Sequence, residues 1–437
     1  MPETATTSRT RPSVAIVGSG IAGMVTALGL QASCRTVVFE GREQLGGHIL
    51  PHSVTDPAGQ PAAVDTAFVV FVPETYPRLT ALLDHLGVAH APAVTTFRIT
   101  DEMRQLSFPA GELLQQCGKA LPRACRRELL DVFQTLVRVR REGLGFIANI
   151  SLARWLDQQG YQPETIELGV LPWVASFWGL PPETVLTVAA PVALREIARN
   201  AGPYSMHRVL PSTRAYLDAM VAALSDTEIR PQRVHEVRLH DGPRVRTDAG
   251  LERFDRVVLA VDAIDARTLL SDADPELGQV LARFGYEPTV AVVHRDPGHL
   301  PADRAQWCTF HHRRDRARSV TTWVLDLLHE WHDRPTDIET PTLLSTGDPG
   351  LVDEARIDPA RVLAVYRHRH LVSTPQVVDA LDALPGLDRG QPFTLAGSYL
   401  GLGALHEDAL VSGLRAAAKI RAELSLPPAA PAWASTE

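Results

Sequence analysis

Three glycines and one glutamate carry the strongest chemical signal in this chain. Gly18, Gly20 and Gly23 stand in the spacing G-x-G-x-x-G, directly after the apolar run Val14-Ala15-Ile16-Val17 and ahead of an apolar helical stretch. In such a turn the first glycine permits the tight bend, the second lets backbone approach a pyrophosphate, and the third lets the helix lie close on the sheet. The helix start at Ile21 and Ala22 offers free N–H groups and positive potential to phosphate. Glu40 closes the next apolar run, Thr36-Val37-Val38-Phe39, twenty residues after Gly20. A carboxylate at that distance can hold ribose hydroxyls. Strand, glycine turn, helix and acid together predict a dinucleotide site.

A second glycine pair, Gly46-Gly47, stands close behind the acid in Gly41-Arg42-Glu43-Gln44-Leu45-Gly46-Gly47-His48. A nicotinamide enzyme does not need it; a buried FAD requires the chain to fold back along the dinucleotide there. The elements that position these groups are spread along the sequence. Residues 63–71 read as an extended, β-rich run, and residues 76–206 as mostly helical, with one apolar stripe at Leu129, Leu130, Phe133, Leu136 and Val137. Residues 234–239 and 244–247 flank Asp241-Gly242, a hairpin signal. Residues 254–260, 289–294, 319–325 and 393–397 read as further strands, and a last helix opens near His406-Glu407-Asp408, with Leu410, Leu414 and Ala417 on its buried face. The expected fold class is α/β: a Rossmann-like FAD-binding domain built from discontinuous segments (11–75, 207–285 and 386–425) plus a mixed α+β substrate domain (76–206 and 286–385), with flexible ends at 1–10 and 427–437.

The chain's 437 residues allow two or three domains sharing a sizeable core. A hydrophobic fraction of 45% is that of a globular protein, and a net charge of -8 argues against a nucleic-acid partner. The first twelve residues are polar and lack the apolar core of a secretory signal, and no apolar stretch reaches the roughly 18–20 residues of a membrane span. A cytoplasmic location is expected. Cys34, Cys117, Cys125 and Cys308 have no metal spacing and are expected to be free thiols; no metal site is expected. The only lysines are Lys119 and Lys419, which confines lysine chemistry to those two places.

Taken together, these motifs resemble the FAD-dependent amine oxidase superfamily, which shares a fold with phytoene-type desaturases, and within it a bacterial branch of NAD/FAD-binding oxidoreductases. The likeness is carried by Leu45-Gly46-Gly47-His48, by Val64-Asp65-Thr66-Ala67-Phe68-Val69-Val70-Phe71 with Thr75-Tyr76-Pro77 behind it, by Ala291-Val292-Val293-His294, and by the closing Ala396-Gly397-Ser398-Tyr399, Gly403-Ala404-Leu405-His406-Glu407-Asp408 and Ser412-Gly413. The resemblance implies that Gly18, Gly20 and Gly23, with Ile21 and Ala22, cradle the pyrophosphate of FAD and that Glu40 holds its ribose. It sets Gly41, Gly46, Gly47, His48, Thr66, Ala67 and Phe68 along the cofactor, Val234 at the adenine, and Gly397 and Ser398 near the ribityl and phosphate. His406 and Glu407 would face the pyrimidine edge of the flavin, where helix N–H groups stabilise negative charge. The family usually has glycine at Ala67, often an acid at Ser398, and a glycine pair at Pro211-Ser212. True amine oxidases commonly place a lysine in the stretch that here reads Tyr286-Glu287-Pro288-Thr289, so the electron acceptor stays open. With no cysteine in the C-terminal motif, a non-covalent flavin is expected.

His406 is a candidate acid or base, or a residue that only shapes the flavin's edge. Tyr399 is a candidate for positioning substrate or a packing aromatic, and Asp65 a candidate catalytic carboxylate or one that fixes backbone N–H groups. Phe71, Trp173, Phe177, Trp178, Trp323 and Trp331 are candidates for lining an apolar substrate site, or for core. Arg126, Arg127, Arg138, Arg140 and Arg141 read as a solvated helix edge, or as a docking site for a phospholipid surface or an acyl carrier protein, and His311-His312-Arg313-Arg314 as a second such segment. The function expected is FAD-dependent hydride removal from an apolar small molecule, or an acyl or polyketide-like substrate, by amine or amide oxidation or by desaturation. A redox-neutral flavin-dependent isomerase or cyclase and a nicotinamide-dependent dehydrogenase are the alternatives.

Overall fold

The computed structural model describes residues 11–200, 205–270, 272–315, 318–427 and 433. Residues 1–10 of the expected leader lie outside the described residues, as do 201–204 of the helical stretch and 428–432 and 434–437 of the tail. Within that tail Trp433 is buried, its ring 6.1 Å from that of His85.

A five-stranded parallel sheet is ordered Phe393–Leu395, Arg256–Leu259, Ser13–Val17, Arg35–Phe39, Thr227–Arg230. Four of its strands are short, largely apolar and buried runs, as a parallel sheet covered on both faces requires, while the edge strand Thr227–Arg230 is polar and part-exposed. The helix Ile21–Leu30 is apolar all round and almost wholly buried between this sheet and the last helix, His406–Glu423. The two helices meet through small residues: a Cβ at Gly29 would lie 2.8 Å from that of Ala417. Beside the sheet, Glu236–Arg238, Arg244–Thr247 and Gly250–Arg253 form an antiparallel meander. Asp241 (φ 59°) and Gly242 (φ 93°) turn it, the left-handed pair a tight hairpin needs.

A seven-stranded sheet is ordered Val362–Leu371, Tyr286–His294, Leu343–Gly347, Arg318–Val324, Phe310–Asp315, Phe97–Asp101, Leu106–Pro109. Its last two strands come from the stretch expected to be mostly helical. Phe97–Asp101 is held by parallel pairing to Phe310–Asp315, a partner some two hundred residues away that local periodicity cannot reveal. The extended run expected over 63–71 also ends early. The strand Pro61–Asp65 pairs with Pro51–Thr55, after which Thr66 Oγ1 bonds the Leu50 carbonyl at 2.7 Å and the chain leaves the ladder.

Helices cover this sheet, among them Ala124–Glu142, Leu171–Trp178 and Ala190–Asn200. The buried row of Ala124–Glu142 is Cys125, Glu128, Val132, Leu136 and Val139. That differs from the expected stripe, of which only Leu136 is fully inside. Glu128 accepts from Gln162 N (2.9 Å) and Thr165 Oγ1 (2.6 Å), and this anchor rotates Leu130, Phe133 and Val137 outward. Among the described residues no helix is long and apolar enough to cross a membrane.

Candidate functional site

The glycine turn has the geometry its spacing implies. Gly18 has φ 106°, and a Cβ there would lie 2.4 Å from the Ala260 carbonyl oxygen; one on Gly23 would lie 2.0 Å from the Gly18 oxygen. Gly20, the N-cap of the helix Ile21–Leu30, is different: a Cβ there would meet nothing within 4 Å. The helix start therefore faces open space, the cradle a phosphate needs. Gly46 (φ 104°) and Gly47 (φ 61°) fold back on it, Gly46 bridging Gly20. Glu40 is buried, with one carboxylate oxygen accepting from Ser19 N (3.0 Å) and Ser19 Oγ (2.6 Å) and the other from Arg42 N (2.9 Å). The latter oxygen keeps acceptor capacity for a hydroxyl. Gly397 (φ 148°) donates its N–H to Ser412 Oγ at 2.8 Å, which fixes the turn leading through Ser398 to the last helix.

Past the cradle, side chains from four segments converge on an interior cleft. His48 is open to the cleft yet surrounded by protein; its ring centroid lies 5.1 Å from His368 and 5.8 Å from His370. His406, at the first position of the last helix, stacks on Phe68 (4.3 Å, 18°), with Nε2 3.4 Å from the Tyr216 hydroxyl. Desolvation pushes all four imidazoles down, His48 to about 4 and His368, His370 and His406 to about 3; His48 adds to the effect on the other three, and Arg42 to that on His48. They are neutral at pH 7. For His406 this departs from the near-neutral titration its residue type suggests.

The cleft opens on a cavity of about 160 Å³, lined by Thr66, Ala67, Phe71, Trp178, Phe310 and Trp323 among others. Thr289, Thr346, His368 and His370 give it polar points. No Asp, Glu, Lys or Arg lines it among the described residues. Trp178 is held by Nε1–H donating to the Gly403 carbonyl at 2.9 Å, and Trp323 stacks on Phe310 at 4.6 Å. His368 Nε2 is buried without a hydrogen-bond partner. An orphan of that kind costs about 1–3 kcal/mol and points to a ligand that is to meet it. The open space over Gly20, the unpartnered imidazole and the uncharged cleft between them fit an elongated dinucleotide with a planar ring.

Several expected residues lie elsewhere. Asp65 Oδ1 accepts from Thr213 N (2.9 Å) and Thr213 Oγ1 (2.5 Å), so its carboxylate fixes the start of the helix Thr213–Ala223. Its burial raises its pKa to about 7. Tyr399 is core: its ring packs edge-on to Phe284 at 5.4 Å and its hydroxyl is buried without a partner, away from the cavity lining. The Glu407 carboxylate accepts from Arg78 N (2.9 Å) and Leu79 N (3.0 Å), capping the helix Pro77–His85. Trp173 packs edge-on to Phe97 at 5.0 Å, behind the cavity wall, and Trp331 stacks on His329. Val234 is different: its side chain is buried with Phe39, Val237 and Val245, beside the strand that ends at Glu40, which is compatible with its backbone lying at the adenine. The segment at 311–314 is not a docking surface. His311 and His312 are buried in the strand Phe310–Asp315, Arg314 pairs with Glu167, and Arg313 pairs with Glu102.

His368 and His370, which the motifs did not single out, put two imidazoles into the cavity wall. Their signal was alternation: Tyr366, His368 and His370 share one half-buried face of the strand Val362–Leu371. No lysine reaches the site. Thr289 lines the cavity, while Lys419 pairs with Asp388 at 2.8 Å and Lys119 is on the surface.

The same architecture occurs in solved structures. A protein described as a protoporphyrinogen oxidase from Exiguobacterium sp. 255-15 matches at TM-score 0.70 and 17% identity, over 95% of this chain and 99% of that one. Cyclohexylamine oxidase from Brevibacterium oxydans IH-35A matches at TM-score 0.67 and 16% identity, over 95% of this chain and 100% of that one. Putrescine oxidase bound to putrescine matches at TM-score 0.64 and 14% identity, over 94% and 99%. At these identities the likeness shows the fold. No curated protein matches the chain. The model of the flavin-containing amine oxidoreductases matches residues 21–421, from the helix that starts at the glycine turn into the last turn of the final helix. This chain therefore belongs to the flavin-containing amine oxidoreductase family and is an oxidoreductase whose cofactor is FAD.

Proposed function

We propose that the protein oxidises an uncharged, apolar small molecule or acyl-type substrate, removing hydride from a carbon beside nitrogen or beside an unsaturated centre. The observation that carries this reading is the cavity lining: aromatic and aliphatic walls, neutral polar groups that include Ser176, Asn200, Thr289, Thr346 and two neutral imidazoles, and no charged side chain among the described residues. A dication such as putrescine would be buried there with no carboxylate to meet it, at a cost of several kcal/mol. A neutral amine, amide or olefin incurs no such penalty.

FAD, bound non-covalently, supplies the hydride acceptor. The chain's own residues do the rest. The glycine cradle and Glu40 hold the dinucleotide, and Phe68 and His406 fix the cleft beside it. Phe71, Trp178 and Trp323 exclude water and orient the apolar body of the substrate. His368 Nε2 takes the substrate's polar end and, transiently, the proton that leaves with the hydride. The imidazolium is short-lived because burial disfavours it.

Purified protein is expected to be yellow, with a flavin band near about 450 nm. Under anaerobic conditions a neutral unsaturated or secondary-amine substrate should bleach that band. A colourless protein, or bleaching by dicationic diamines alone, would overturn the reading.

A further inference from the structure

We propose that the helix Ala124–Glu142 docks this protein onto an anionic lipid bilayer, lying flat in the interface with Leu130, Phe133 and Val137 immersed. The helix contributes no residue to the cavity lining or the glycine cradle.

The helix is amphipathic twice over. Its inner row is buried in the protein, yet Leu130 (44% exposed), Phe133 (57%) and Val137 (45%) recur at helical spacing on the outside. Nineteen residues give a rod about 28 Å long, enough for an interfacial helix.

The charge around this row is the second observation. Between residues 111 and 142 there are seven basic and four acidic side chains, in a chain whose net charge is -8. One of the four acids, Glu128, is buried, and Asp131 receives the Tyr161 hydroxyl. Arg138 and Arg141 share Glu142. Arg123, Arg126 and Arg127 are exposed at the start of the helix, and no acid in the first turn offsets them. Cations at that end oppose the helix dipole, so folding alone does not favour them there. An anionic surface does.

The two features select the occupant. A second copy would bring the same arginines to a symmetric interface and set like charges together. A bilayer answers both at once, with headgroups for the arginines and acyl chains for a row of apolar side chains that runs along the helix. The docking helix is also one layer from the cavity. Leu129, on this helix, belongs to the same apolar cluster as Phe310 and Trp323, which line the cavity.

The test is vesicle flotation of the FAD-loaded protein. Partition onto phosphatidylcholine vesicles containing phosphatidylglycerol should exceed that onto phosphatidylcholine alone by at least about 10-fold and should fall as salt is raised. The double substitution Arg126→Glu with Arg127→Glu should weaken it about 30-fold, and Phe133→Ser about 10-fold. Both variants are at the surface and should keep the melting temperature and the flavin band. No flotation, or flotation that neither variant changes, overturns the proposal. So does a dimer that Phe133→Ser dissociates, or retention by an acidic carrier protein, if either occurs without flotation.

Discussion

A single methyl group at Gly413 tests whether the contact between the two helices holds the cofactor cradle together. A Cβ at this position would lie 2.4 Å from the Ala22 carbonyl oxygen and 3.1 Å from Ala22 Cα. Both are backbone atoms, so no rotamer change relieves the overlap. The helix His406–Glu423 must withdraw from Ile21–Leu30 by about 1 Å, an overpacking cost of about 1–3 kcal/mol. Spread over a chain of 437 residues, that is a fall in melting temperature of about 1–3 °C. The larger effect should be on FAD, because withdrawal separates the Gly20 helix start from His406 and strains the Thr26 Oγ1 bonds to the Ala22 and Gly413 carbonyls (2.7 and 3.1 Å). We expect Gly413→Ala to weaken FAD about 10-fold. The gain in melting temperature on adding FAD should shrink to match. Gly29→Ala is the control. It strains the same helix pair farther from the cradle, against the Ala417 Cβ, and should lower the melting temperature with little change in affinity. Equilibrium dialysis and thermal melts with and without FAD measure both quantities. Wild-type affinity in Gly413→Ala, or a larger affinity loss in Gly29→Ala, would refute the reasoning.

Asp65 has its pKa raised to about 7 by burial, so its carboxyl stabilises the fold fully at low pH, below its unfolded value, and that contribution is lost as pH rises through 7. Asp65→Asn should remove this slope, at most about 1.4 kcal/mol per pH unit, and parallel stability curves for the two proteins between pH 4 and about 7 would count against it. Glu407→Ala strands the Arg78 and Leu79 N–H groups and should destabilise the protein by about 2–3 kcal/mol in denaturant melts, with Glu407→Gln losing less. Because burial pushes His368 down to about 3, the pH profile of turnover should show no imidazole limb between about pH 5 and 8, while His368→Leu should lower kcat about 100-fold. A limb near the ordinary histidine value that vanishes in the variant would show that the imidazole titrates as if solvated.

Where signals were local, the sequence was readable. The glycine turn, the acid after the second strand and the Asp241-Gly242 hairpin each depend on a few adjacent residues whose backbone demands no other residue type meets as well. What it hid is non-local. Phe97–Asp101 is a strand only because Phe310–Asp315 lies beside it. In Ala124–Glu142 two apolar rows compete, and periodicity cannot say which faces inward; Glu128, bound to Thr165, decides. Asp65 and Glu407 carry residue types that suit catalysis, yet each is bound to a helix start that folding brings to it, Asp65 by the N–H and hydroxyl of Thr213 and Glu407 by the N–H groups of Arg78 and Leu79. His368 and His370 were unremarkable in a row of alternating residues until the strand was placed over the cleft.

The sheet order also has a consequence for how the molecule is made. The strand Ser13–Val17 is made well before one of its neighbours, Arg256–Leu259, which follows some two hundred and forty residues later, and that strand's outer partner, Phe393–Leu395, comes later still. Closing contacts across such spans is slow, and the apolar strands stay unshielded meanwhile. The nucleotide fold cannot close until translation has passed the helix His406–Glu423. Supplying riboflavin during expression, and slowing synthesis by cooling, should therefore raise the soluble yield more than adding FAD to the finished protein.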